Sequence, residues 1–382
     1  MPSFLHLFDL APGYDTRPTR FGTILRELGS VTTCSAPPVN NAPIGDYFVE
    51  LPRHSRKFLS KIVYGSRLLL GNYAPSVWNK SMEHVFEQLR HKTFSVIICQ
   101  YLNLLPVACE LRNLPQNKNR CKIVMDAREY YPRQNEQSAW WRLFIAGLND
   151  YLCRRYLPQT DLVFTVSPGL RQEYLTQYGV QCILLPSYSH HANIEPHATL
   201  ASEVRCVHHG LAAPGRKLEL MIEAIRLLDG RFHLDFILIP TDPKYLLKLK
   251  RLAAGNPNIA FPEPVSMTEI VPHTARYDMG LYLLEPNSFN HRHSLPNKFF
   301  EFIQARLAVA IGPSPDMADL VRAYGIGVVA PDFTPQSFAE TIKILRPEDI
   351  DAFKAKTHLA AKELCWERNA EVIRRSLQEL MA

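Results

Sequence analysis

No apolar run in this chain approaches the roughly 20 residues that a membrane-spanning helix needs. No basic leader and no small-residue cleavage site mark residues 1–10, so that stretch reads as a first strand rather than a signal peptide. The eight cysteines, at 34, 99, 109, 121, 153, 182, 206 and 365, include no Cys-x-x-Cys pair and mostly sit among apolar neighbours. Reduced, buried thiols in a cytoplasmic protein are therefore expected, in place of a disulfide framework. There is no Gly-x-x-x-x-Gly-Lys-Ser/Thr, and no Gly-x-Gly-x-x-Gly after the first strand. Readings as a nucleoside triphosphatase or a dehydrogenase lose their main support. Short-period repeats and low-complexity segments are also missing.

What is present is a chain of 382 residues, 46% hydrophobic and 21% charged, long enough for two domains of ordinary size. The net charge of +6 is modest and does not argue for nucleic acid. It is unevenly placed, because no carboxylate occurs between Glu50 and Glu83. Arg53, Arg56, Lys57, Lys61, Arg67 and Lys80 lie there, interleaved with Phe58, Ile62, Tyr64, Leu68, Leu69, Leu70, Tyr73 and Trp78. Such a segment suits peripheral contact with an anionic membrane surface or grip on a lipid-phosphate acceptor. A solvated helix pair with an ordinary apolar face is the alternative.

Apolar runs rich in Val, Ile and Phe alternate with amphipathic stretches. In the first half, strands are predicted at 4–9, 94–99, 121–126, 161–166 and 181–185, with helices near 18–29, 76–91, 102–112, 138–157 and 168–178. Ser167-Pro168 is a helix start, an N-cap serine followed by proline. Residues 186–202 carry prolines, serines and adjacent histidines without periodicity and read as an interdomain linker. Alternation then resumes, with strands at 203–209, 232–239, 258–261, 278–284, 307–312 and 326–330, and helices near 216–229, 243–254, 297–306, 315–323 and 335–345. The expected fold is α/β, two doubly wound Rossmann-like domains facing across a cleft. Their expected limits are 1–188 and 200–346, with helices of 347–382 packing back on the first domain.

In open parallel sheets ligands bind beyond the carboxyl ends of strands, so the residues just after strands matter most. Tyr282-Leu-Leu-Glu285, a polar loop, and Pro296-Asn297-Lys298-Phe-Phe-Glu301 form a strand, loop and helix opened by proline. Lys298 falls in the first turn, where its ammonium and free backbone N–H groups suit a phosphate. Glu301 is one turn on, placed to accept from a ribose diol. A surface Lys–Glu pair at i,i+3 would give the same spacing. Asp126 and Glu129 end the strand at 121–126, where a carboxylate could deprotonate an acceptor hydroxyl. Alternatively Asp126 caps a turn and Glu129 pairs with Arg128 or Arg133. His6, Asp9 and Gly13 follow the first strand and are weaker candidates for the acceptor side. The histidine pairs His190-His191, His208-His209 and His291-x-His293 have no carboxylate or cysteine at a familiar ligand spacing, so no metal is expected. His209 and His293 read either as donors to sugar or phosphate or as packed structural histidines. Asp349-Ile-Asp351 follows Pro347 and reads as helix capping.

These motifs resemble the donor half of GT-B-fold glycosyltransferases, in particular the glycosyl transferases group 1 family and its Pro-x-Lys-x-x-Glu variants. Leu307–Ile311 with Gly312-Pro, Gly325-Ile-Gly327-Val-Val-Ala, and Val207-His-His-Gly210 leading to Arg216-Lys217 carry the likeness, over roughly 200–345. Asp126-Ala-Arg-Glu129 is similar to the Asp-x-x-Glu after a central strand of related transferases. The chain departs from the family in two places. His293 stands where the first of two glutamates is usual, and Gly210 at or near the first of two basic residues. The resemblance implies a nucleotide-diphosphate-sugar donor held by Gly210, Arg216, Lys217, His293, Asn297, Lys298 and Glu301, with no cofactor and no metal. It implies a glycan or lipid-linked acceptor on the N-terminal domain, with Asp126 or Glu129 as base. A nucleotide-sugar epimerase of the same fold and a non-catalytic sugar-nucleotide-binding subunit are the alternatives.

Overall fold

The computed structural model describes residues 1–9, 16–38, 45–52 and 58–382, with the side chains of 16 and 58–63 excepted. Gly13, Arg53, Arg56 and Lys57 lie outside the described residues, as do the side chains of Phe58, Lys61 and Ile62. Contacts divide the chain into two compact units. The first comprises Met1–Pro186, Ser288–Asn290 and Ala370–Ala382, and the second Ser187–Asn287 and His291–Asn369.

The first unit is built on seven strands: β1 (Ser3–Leu7), β2 (Ser30–Ser35), β3 (Tyr47–Glu50), β4 (Val96–Cys99), β5 (Lys122–Ala127), β6 (Leu162–Thr165) and β7 (Ile183–Leu184). They form one parallel sheet in the order β3-β2-β1-β4-β5-β6-β7. Reversal of strand order between β1 and β4 makes this a doubly wound sheet, with helices such as Thr16–Leu28 and Leu105–Asn113 as the crossovers. β4 and the Ile123–Met125 stretch of β5 are apolar and buried on both faces, as a central parallel strand must be. The helix Pro168–Tyr178 begins at Ser167, whose side chain accepts from Leu170 N, and ends at Gly179 in the left-handed conformation. The stretch predicted as one helix over 138–157 is α-helical at Ala139–Trp141 and Gly147–Tyr156, with a π-helical turn at Arg142–Ala146 between. Gly147 lies against Tyr73, where any side chain would collide with the phenol. The helix widens by a residue at that point, a common form of helix distortion.

The second unit has six strands: β8 (Val204–Leu211), β9 (Phe232–Ile239), β10 (Ile259–Ala260), β11 (Met279–Tyr282), β12 (Ala308–Ile311) and β13 (Gly327–Val329). They too are parallel, in the order β10-β9-β8-β11-β12-β13. The switch of direction falls between β8 and β11, paired through Met279↔Cys206 and Gly280↔Val207. The helix Asn297–Gln304 connects β11 to β12 and lies close on the sheet because Gly280 has no side chain. A β-carbon there would sit 2.3 Å from Phe302. Phe299, Phe300, Phe302 and Ile303 are buried in the apolar cluster on that face.

Residues 187–199 form no strand, yet they are held firmly within the second unit. Ala192 N donates to Gln304 Oε1 at 3.0 Å, and Thr199 N to Asp351 Oδ1 at 2.9 Å. Asp349 accepts from the backbone N–H of Arg346, completing the cap of the helix Pro347–Ala360. The chain from Ala370 onward belongs to the first unit, where Arg374 donates to Glu27 at 2.7 Å. All eight cysteines are free and buried. Among the described residues no helix is long and apolar enough to cross a membrane.

Candidate functional site

The C-terminal ends of β8 and β11 flank the switch point of the second sheet, the position where doubly wound folds bind ligands. β8 ends in Val207-His208-His209-Gly210. Alternation along the strand sends His209 toward the helix Asn297–Gln304 and His208 toward the opposite face. His209 accordingly meets Phe302 edge to face, with ring centroids 5.1 Å apart. His208 lies near Phe236 at 5.9 Å and stacks on Tyr282 at 6.2 Å.

Lys298, in the first turn of that helix, reaches across the end of β8. Its Nζ donates to His208 Nε2 at 3.1 Å and stands 5.4 Å from the centroid of the Tyr282 ring. Gly210 makes the crossing possible. Its φ is +127°, and a β-carbon there would lie 2.8 Å from Lys298 Nζ. Burial is the main cause that lowers the Lys298 pKa to about 7, and the charge of Arg216 adds to it, with Glu301 opposing. Among the described residues, neither Lys298 nor Arg216 has a carboxylate in ion-pair contact. Two cations thus converge with no counter-charge bound to them, the electrostatics of an anion site.

His208 Nδ1 lies 2.8 Å from the carbonyl of Leu281, which can only accept, so this nitrogen carries the proton and Nε2 is the acceptor. Burial first, then Lys298, holds His208 well below the usual histidine range. His209 is held down to about 3 by burial and then by Lys298. Its Nε2 lies 3.5 Å from Glu301 Oε2. Both imidazoles are therefore neutral at physiological pH. The Tyr282 hydroxyl is buried, with Arg216 and Ser294 facing it.

The remaining donor-side candidates are less concentrated. Arg216 ends the single turn Pro214–Arg216, half-buried. Lys217 follows with a left-handed φ of 45°, and its ammonium pairs with Glu285 on the surface. Asn297 is exposed at the first position of its helix, and Pro296 occupies the N-cap rather than the first helical position. The amides at that end consequently have no side-chain cap. His293 Nδ1 lies 3.1 Å from Asp316 Oδ2, at the start of the helix Pro315–Tyr324.

In the first unit, Asp126 is fully buried at the end of β5. Arg17 binds both of its oxygens, at 2.8 and 2.7 Å, and Gln100 Nε2 adds a third hydrogen bond at 2.8 Å. His6 Nε2 in turn meets Gln100 Oε1 at 2.8 Å. Burial pushes the Asp126 carboxyl up, but Arg17, with Arg128 and Gln100, outweighs it and holds the group below the usual carboxylate range. A carboxylate tied up in this way is poorly suited to receive a proton from a substrate. Its place after a central strand pointed to catalysis, whereas its contacts are those of a buried structural pair. Glu129 differs. It is only half-buried, and burial raises its pKa against the pull of Gln134 and Arg128.

His208 and Tyr282 were not foreseen as site residues. The available signal was the strand-end position of His208, two residues before a glycine. Among the described residues, no three His, Cys, Asp or Glu side chains gather as ligands for a metal ion.

No family model and no curated protein sequence matches the chain. Solved structures do. Sucrose-phosphate synthase from Thermosynechococcus elongatus aligns over 100% of this chain and 99% of its own, with a TM-score of 0.72 and 13% identity. The fold is that of the GT-B glycosyltransferases. HepE from Anabaena, in complex with UDP-glucose, gives a TM-score of 0.70 over 99% of this chain and all of its own, at 12% identity. A glycosyltransferase from Rickettsia africae gives 0.70 over 100% of this chain and 98% of its own, at 11% identity. Such low identities carry the GT-B architecture and not the chemistry of any one neighbour.

Proposed function

We infer that this GT-B protein is a glycosyltransferase that moves a sugar from a nucleotide-diphosphate donor to a glycan or lipid-linked acceptor. The observation that carries this reading is the pair of cations, Lys298 and Arg216, beside the uncapped start of Asn297–Gln304 and over a side-chain-free Gly210. In this reading Lys298 and Arg216 bind the diphosphate, together with the amides at Asn297 and Lys298. They also stabilise the charge that develops as the sugar–phosphate bond breaks, without a metal. Glu301 accepts from the ribose, and His209 and His293 serve the sugar or the phosphates. Lys217 is the least committed of the set because Glu285 already neutralises it.

For the acceptor side we assign Glu129 ahead of Asp126 as the base of an inverting reaction. A carboxylate with a raised pKa holds an abstracted proton more readily than one held by an arginine. A lipid-linked acceptor draws support from apolar side chains left exposed in the first unit. Leu69 and Leu70 lie within the carboxylate-free segment, and Trp140 and Leu143 lie on the distorted helix. Such groups suit a headgroup boundary at a cytoplasmic membrane face.

A thermal-shift panel of UDP-, GDP-, ADP- and CMP-sugars tests the donor reading. One nucleotide class is expected to raise the melting temperature, Lys298→Ala to abolish that rise and Glu301→Ala to reduce it. Sugar transfer and nucleotide binding left intact in both variants would overturn the assignment.

A further inference from the structure

The contact between Lys298 and His208 has a feature that phosphate binding alone does not require. The carbonyl of Leu281 fixes the proton of His208 on Nδ1, so Nε2 presents a lone pair to Lys298 Nζ. Were His208 also protonated at Nε2, an imidazolium N–H would face an ammonium 3.1 Å away in a buried site. Two like charges so placed cannot both persist. The pair therefore carries a single positive charge at most. The charged and titratable groups around it are Arg216 from the preceding turn, Glu301 from the same helix, His208 and His209 from β8, and Tyr282 from β11. Arg216 opposes charging of the lysine, and Glu301, 3.5 Å from His209, favours it only in part against burial. Without a ligand the pair has weak reason to be charged. A bound diphosphate supplies that reason.

Resting on the donor reading above, we propose that His208 is the positioning residue of Lys298 and that the pair takes up one proton when the donor diphosphate binds. The proton comes from solvent and is taken by the lone pair of Lys298 Nζ. His208 Nε2 accepts one of the resulting N–H bonds, and the other two face the phosphates. The imidazole thus directs the ammonium and supplies an acceptor for it, without itself changing protonation state. Tyr282 closes the other side with its ring face, which also favours the charged lysine.

The sign of the pH dependence follows from linkage. Binding raises the affinity of Lys298 for its proton, so donor affinity is full below the pKa of the free site and falls as pH rises through it. With that value at about 7, affinity is expected to drop about tenfold between pH 7 and 8.5. His209 does not titrate in this window, being held at about 3.

Calorimetry with UDP-glucose, ADP-glucose and GDP-mannose as probes, in two buffers of different ionisation enthalpy at pH 6 and 8.5, measures the protons taken up. The diphosphate diesters of these probes do not titrate in the range. The expected uptake is about one proton at pH 8.5 and about none at pH 6. Lys298→Met should remove the pH dependence together with most of the affinity. His208→Leu should move the midpoint of the affinity–pH profile downward by about half a pH unit or more, and His208→Gln, whose amide oxygen still accepts, should restore it. Melting curves of both His208 variants confirm folding. Binding without proton uptake, or an equal loss at every pH in His208→Leu, overturns the proposal and leaves the donor reading standing. No binding of any probe at pH 6 overturns the donor reading as well.

Discussion

Lys298 Nζ would lie 2.8 Å from a β-carbon at Gly210, closer than β-carbons in proteins approach other heavy atoms. The glycine therefore sets where the lysine can go. Its φ of +127° is also a conformation that other residues adopt only under strain. Gly210→Ala is expected to fold, because the flexible lysine can retreat, but to lose the contact with His208. Nucleotide-sugar affinity should fall about tenfold, the loss of one charge-assisted contact of about 1.5 kcal/mol. The melting temperature without ligand should fall only slightly by comparison. Calorimetry and thermal melts on the same samples separate the two effects.

Glu301 is one turn from Lys298, with His209 3.5 Å from its Oε2. If it serves the ribose, Glu301→Ala weakens nucleotide binding and leaves the phosphate contacts in place. Affinity for the intact nucleotide sugar is then expected to fall about tenfold, with affinity for inorganic pyrophosphate unchanged. An equal loss for both ligands would place Glu301 at the phosphates or in the support of Lys298.

Much of this fold was legible because the central strands of parallel sheets are apolar on both faces. Val96–Cys99 and Ala308–Ile311 announce themselves in that way. β2 does not. Ser30-Val-Thr-Thr-Cys-Ser35 is mostly hydroxyl-bearing, yet Thr33 and Ser35 are buried, and Ser35 satisfies its hydroxyl on the carbonyl of Ala36. β3 is a short outer strand next to it, with only Val49 buried. The residues proposed here for the donor, Lys298, Glu301, Gly210 and Arg216, stand out in the sequence because they follow strands or lie in the first turns of a helix. His208 does not, because its role depends on a carbonyl at Leu281, 73 residues away. Asp126 shows the opposite failure. Strand-end position marks a cleft residue only when no arginine closes over it, and Arg17 is 109 residues distant in sequence.

That contrast gives a paired test. Asp126→Asn leaves Arg17 buried beside a neutral group, and breaking a buried pair in this way costs about 3–5 kcal/mol. The melting temperature of the first unit is expected to fall by about 6–12 °C, with nucleotide affinity in the second unit unaffected. Because the Asp126 pKa is depressed on folding, its stabilising contribution is present above the usual carboxylate range and is lost as pH falls below it. Glu129→Gln should do the reverse. It should melt close to the wild type and bind nucleotide sugar normally, while transfer to the acceptor falls by about 100-fold or more. Normal transfer by Glu129→Gln would remove it as the base.

The second unit carries a buried ion pair whose removal should weaken a pH effect. Lys354 Nζ donates to Asp278 Oδ1 at 3.1 Å, both side chains are 1% exposed, and His197 Nε2 lies 3.0 Å from the same oxygen. Asp278 also accepts from the backbone N–H of Arg205, which fixes it at the start of β8. Burial and then Lys354 depress the His197 pKa, with Asp278 opposing. In the wild type, the unfolded chain therefore binds the His197 proton more tightly than the folded one. That contribution to stability is present above the ordinary histidine range and lost as pH falls. Lys354→Met keeps the apolar stem but deletes the charge, leaving Asp278 buried with His197 at 3.0 Å and Arg205 Nε at 4.0 Å. Protonation of His197 then becomes less unfavourable in the folded state, because burial still opposes it but Lys354 no longer does, so less stability is lost as pH falls. The variant is expected to be less stable than the wild type by about 3–5 kcal/mol at pH 8, and to recover part of that deficit at pH 5.5. Melting curves at the two pH values measure both quantities. A deficit that stays constant or deepens at pH 5.5 would show that His197 does not answer to the charge of Lys354.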